Sequence, residues 1–80
     1  MEVNTLKISE QFDYSKLDGK ITELFGTRSD FATAMGLSKA TLSLKMNGKI
    51  DWRQQDIALA CALLQIDKSE VGAYFFNKKV

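Results

Sequence analysis

The segment Lys39-Ala-Thr-Leu-Ser-Leu-Lys45, led by Ser38 and trailed by Asn47 and Lys49, collects side chains that can contact base edges or phosphates. Lys39 can donate to guanine O6 or N7, or to a phosphate oxygen. Ser38 and Ser43 can donate or accept at several bases. Ala40 can touch a thymine methyl, and Thr41 adds a second hydroxyl. Lys45, Asn47 and Lys49 are candidate phosphate contacts, as is Arg28 upstream. For Asn47 the competing role is helix termination, and for Lys49 plain solvation. Leu44 lies about 200° around a helix from Leu42, so it belongs on the outward face. Three roles stay open for it: a thymine-methyl contact, an anchor for a partner protein, or an ordinary exposed leucine.

These residues need a scaffold, and the surrounding pattern supplies one. Ala32, Gly36 and Leu42 have the spacing of a helix-turn-helix, whose second helix enters a DNA major groove. Ala32 lets the second helix cross closely. Gly36 sits where the chain must turn and can take positive φ at little cost. Leu37 returns to the core, and Ser38 is a good N-cap. Leu42 and Met46, four apart, point inward, and Lys45 is expected on the exposed side. Thr27 followed by Asp30 predicts a capping box.

The other elements complete a small domain. Leu17, Ile21, Leu24 and Phe25 form one stripe of a first helix over about 15–25, with Asp13 or Ser15 as cap and Gly26 as stop. A second helix covers roughly Arg28 to Met35 and a third roughly Lys39 to Met46, ended by Asn47-Gly48. Asp51 is expected to open a fourth helix, about Trp52 to Gln65, with Gln54 completing a capping box. Ile57, Cys61 and Leu64 form its stripe, widened by Ala60 and Leu63. Asp67 and Glu70 start a short fifth helix containing Val71 and Tyr74. The expected fold is all-α: four or five short helices around one core. Residues 1–11 read as an N-terminal arm, extended or disordered, ahead of a helix-turn-helix domain over 12–80.

Composition narrows the function classes. Eighty residues leave no room for a separate catalytic lobe. There is no His and one Cys, so ordinary zinc sites and Ser-His-Asp or Cys-His arrangements are excluded. No Gly-rich phosphate loop occurs, no cofactor is implied, and an enzyme is not expected. Cys61 reads as a small core residue. No apolar run is long enough to span a membrane, and the start MEVNTLKISEQF is not that of a signal peptide. A reducing cytoplasm fits the single Cys best.

Net charge is only +1. Residues 1–25 carry three lysines against five carboxylates, and residues 51–80 carry four cations against four anions. Residues 26–50 carry Arg28, Lys39, Lys45 and Lys49 against Asp30, an excess of three. Positive charge therefore collects on the motif, as DNA binding requires, though modestly.

Residues 12–80 resemble the small phage-encoded helix-turn-helix proteins related to the Cro and CI repressors. The likeness rests on Phe12-Asp13-Tyr14-Ser15-Lys16-Leu17, on Phe31-Ala32 and Met35-Gly36-Leu37-Ser38, on Thr41 through Lys49, and on the terminal Tyr74-Phe75-Phe76-Asn77-Lys78-Lys79. It implies a lambda-repressor-like fold and an origin in phages or prophages of Gram-positive bacteria, hence the cytoplasm of a bacterial host. The implied role is in a lysis–lysogeny switch. One form of that role is a regulator that binds a double-stranded DNA operator, as a homodimer spanning half-sites ~34 Å apart. The other is an antirepressor that grips a phage CI-type repressor through the helix-turn-helix face and blocks its DNA binding. Two departures from the pattern stand out. Many relatives have Gln where this chain has Arg28. Many also have an apolar residue three after Leu42, where this chain has Lys45, a difference expected to rotate the third helix slightly.

Overall fold

The structure, a computed structural model, describes residues 12–79; the expected arm over 1–11 lies outside them. Five α-helices follow one another: α1 (Ser15–Phe25), α2 (Arg28–Met35), α3 (Lys39–Met46), α4 (Gln54–Leu64) and α5 (Val71–Phe75). A 3-10 turn, Lys68–Glu70, leads into α5. α2 is central, touching α1, α3 and α4, while α1 also packs on α4 and α5. The two ends of the described chain are clasped together. Phe12 and Lys78 form an antiparallel bridge, and the Asp13 N–H donates to the Asn77 carbonyl at 2.6 Å.

Local chemistry accounts for the helix ends. The Thr27 hydroxyl accepts the Asp30 N–H at 3.1 Å, so Thr27 caps α2. Gly36 closes α2 in the left-handed region at φ 73°, where a side chain would be strained. Ser38 caps α3 by accepting the Thr41 N–H at 3.0 Å. At α1, Asp13 rather than Ser15 serves the helix start, accepting the Ser15 N–H at 2.8 Å. Asp67 does the same ahead of α5, accepting the Ser69 N–H at 2.9 Å.

Two expectations are corrected. α4 begins at Gln54, not Trp52, and neither Asp51 nor Gln54 caps it. The cap comes from within: the Arg53 N–H donates to Asp56 Oδ2 at 3.0 Å. Leu24 is not part of the buried stripe of α1 but is 40% exposed. Phe25, expected in the same stripe, does pack against the core, its ring 5.3 Å from that of Phe31 in an edge-to-face contact.

Leu17, Ile21, Phe31, Leu42, Leu64 and Phe75 are the largest fully buried side chains. Ala32 is buried as the close α2–α3 corner requires, and Met35, Met46, Ala60, Ile66, Tyr14 and Tyr74 complete the core. Trp52 lies at the core's edge, its ring 5.1 Å from Phe75. Each large core side chain contributes about 1.5–3 kcal/mol by burial. No helix among the described residues is long and apolar enough to cross a membrane.

Candidate interaction surface on the third helix

α3 turns Leu42, Lys45 and Met46 inward. Ser38, Lys39, Ala40 and Leu44 are exposed, and Thr41 and Ser43 are half-buried. The six side chains assigned to base or partner contact thus all retain some surface. Ser38 and Thr41 are also occupied with each other: the Ser38 hydroxyl donates to Thr41 Oγ1 at 2.9 Å. Leu44 is 43% exposed. Its carbonyl accepts the Lys49 N–H at 2.8 Å, so the loop after α3 folds back against the helix and fixes its last turn.

Lys45 does not join the phosphate candidates. Its side chain is only 5% exposed and its ammonium lies 2.9 Å from Asp56 Oδ2. It also donates to the Asp51 carbonyl at 2.8 Å and sits 5.9 Å from the centre of the Trp52 ring. The cause is angular. Lys45 is three residues after Leu42, which returns it to within about 60° of Leu42, while Met46 lies about 40° to the other side. Lys45 therefore occupies the inward position that an apolar residue usually fills, and its charge is met by Asp56.

Asp56 is the residue that sequence reasoning missed. Burial pushes its carboxyl up, but hydrogen bonds from Lys45 and from the Arg53 N–H, with the charges of both residues, hold it below the ordinary carboxylate value. With Lys45 expected outside, no local signal marked it: Asp56 stands at N3 of the next helix, eleven residues on.

The remaining phosphate candidates divide. Asn47 and Lys49 are exposed. Arg28 is half-buried at the start of α2, with Nε 2.9 Å from Asp18 Oδ1. Arg28 and Asn47 meet in one open pocket that also holds Asp13, Asp18 and Lys79. The two carboxylates offset the two cations, so the pocket has no net positive charge to draw a phosphate. The Lys45–Asp56 and Arg28–Asp18 pairs thus engage two of the four cations of the segment 26–50 with carboxylates from outside it.

The DUF739 family, described as a protein of unknown function, matches residues 10–78. The chain belongs to that family. Among solved structures it is similar to the modulator of repression (MOR) of the temperate bacteriophage TP901-1 from Lactococcus lactis. The two sequences are 49% identical, over 90% of this chain and 97% of that one, with a TM-score of 0.76. Among curated proteins, none matches. This DUF739 member is therefore a compact all-α domain with the fold of MOR. Its described residues hold no group of three or more His, Cys, Asp or Glu able to bind a metal.

Proposed function

We propose that this protein modulates repression in a phage regulatory switch by binding a CI-type repressor through the exposed face of α3 and blocking the repressor's access to DNA. One observation carries the choice over direct DNA binding: α3 buries Lys45 and exposes Leu44. The face therefore loses a cation that a phosphate would need and keeps an apolar side chain that a protein partner can bury. Relationship to a protein named as a modulator of repression supports the same reading. Leu44 would sit at the centre of the contact, with Lys39, Ala40 and Ser43 around it and Lys49 at the rim. Such an arrangement suits an apolar centre with a polar border better than a phosphate track.

A second reading keeps one specific support. Lys39 is exposed in the first turn of α3, the part of a recognition helix that goes deepest into a major groove. In that reading the α2–α3 corner is a helix-turn-helix of the lambda-repressor type, and a homodimer contacts an operator.

A gel shift separates the two. Labelled operator DNA is mixed with the cognate CI-type repressor, then with increasing amounts of this protein. The expected result is loss of the repressor–DNA band and no shift by this protein alone at low salt. A low-salt shift by this protein alone, with the repressor band intact, would favour the operator reading.

A further inference from the structure

We propose that the Lys45–Asp56 pair is a positioning device that sets the rotation of α3 about its own axis, and with it the outward aim of Leu44. The proposal deepens the repressor-binding reading and rests on it for its functional consequence.

The need for such a device follows from how α3 is held. The helix has eight residues, and its buried apolar side chains are Leu42 and Met46. They lie four apart, one above the other along the axis, so their grip leaves the helix free to roll. Backbone contact from α3 runs chiefly to α2. Lys45 projects to the other side of Leu42 and gives a third, off-axis point. Its two hydrogen bonds, 2.8 Å to the Asp51 carbonyl and 2.9 Å to Asp56 Oδ2, are directional in a way that apolar contacts are not. Neither acceptor is loose. The first is backbone. The second is the N3 carboxylate of α4, already fixed by the Arg53 N–H at 3.0 Å. A buried ion pair is a poor source of net stability compared with well-packed apolar residues, so orientation is the property this pair is suited to supply. Leu44, one residue before Lys45, turns as Lys45 turns.

The test replaces the pair without leaving a lone charge. In Lys45→Met with Asp56→Leu, apolar side chains fill the same site and the domain is expected to stay folded. Asp56→Asn is the conservative companion, because its amide oxygen can still accept from Lys45 and from the Arg53 N–H. Two readouts are taken on each. One is NMR of the amides that bond to Leu44, those of Lys49 and Ile50, together with the Leu44 methyls. The other is affinity for the cognate repressor. The expected result for the double variant is shifted or broadened α3 signals, a folded domain with a melting temperature lowered only by the lost Arg53 cap, and an affinity lowered about tenfold. Asp56→Asn should bind within a few-fold of wild type at a temperature where it is folded. Unchanged α3 signals in the folded double variant overturn the positioning role. So does wild-type affinity in it. If the double variant fails to fold, Lys45→Met with Asp56→Asn makes the same comparison. Absence of repressor binding by the wild-type protein would sink the functional reading alone, since the NMR readout needs no partner.

Discussion

Asp56→Ala should cost this domain a large part of its stability, and the structure gives the size. The substitution leaves the Lys45 ammonium at a site where its side chain is 5% exposed, with the Asp51 carbonyl still accepting from it but its Asp56 counter-charge gone. Stranding one partner of a buried pair costs about 3–5 kcal/mol. Losing the N3 carboxylate also frees the Arg53 N–H at the start of α4, worth about 0.5–2 kcal/mol as a helix cap. A chain of this length is expected to have about 4–12 kcal/mol in all, at ~0.05–0.15 kcal/mol per residue. Asp56→Ala should therefore leave a protein that is partly unfolded at 25 °C. Lys45→Ala should cost less, because Asp56 keeps the Arg53 N–H and the Arg53 side chain at 3.5 Å. Arg28→Ala is the control. Both side chains of the Arg28–Asp18 pair are about 40% exposed, so solvent screens it and the loss should stay below about 1 kcal/mol. Urea unfolding followed by Trp52 fluorescence measures all three. Equal, small losses at Asp56 and Arg28 would refute the claim that the Lys45–Asp56 pair is desolvated.

Other consequences are smaller but separable. Ser38→Ala should cost about 1 kcal/mol by uncapping α3, read as a lower urea midpoint. Gly36→Ala should cost about 1 kcal/mol or more, because φ 73° admits a side chain only with strain; open space around the position rules out a clash as the cause. The pH dependence has a definite sign. Asp56 has a folded pKa below its unfolded value, so its contribution is present above the unfolded value, about 4, and is lost as pH falls through the folded one. Asp13 and Asp67, held low by hydrogen bonds from Ser15 and Ser69, act in the same direction. Stability measured in urea should thus fall on acidification below about pH 4; a rise there would contradict the assignment. Burial pushes the Cys61 thiol up, so a thiol reagent at neutral pH should modify it more slowly than a free cysteine.

The fold was more legible than the surface, for a physical reason. Helix bounds rest on local signals, and those were strong: Thr27, Ser38 and Asp67 are side-chain caps, Gly36 is a left-handed stop, and Leu17 with Ile21 is a period-3.6 stripe. α4 was misplaced at its start because Asp51 looked like a cap, while the operative acid was Asp56, inside the helix. The face of α3 depended on non-local information. Type alone put Lys45 outside, and the long-range partner that makes its burial tolerable, Asp56, is eleven residues away in sequence. Leu44 was correctly expected outside, because its angle from Leu42 needs no knowledge of neighbours. What that face binds is decided by a partner's chemistry, which no spacing within this chain encodes.

The most direct measurement is titration of this protein into the cognate CI-type repressor, wild type against Leu44→Ala, by calorimetry or polarisation. Leu44 is 43% exposed and is not one of the buried core residues, so the variant should melt within about 0.5 kcal/mol of wild type. If α3 grips the repressor, wild type should bind and Leu44→Ala should lose about 5- to 30-fold in affinity, the factor that ~1–2 kcal/mol of lost apolar burial represents. Equal affinity of the two proteins for repressor would contradict a contact centred on α3.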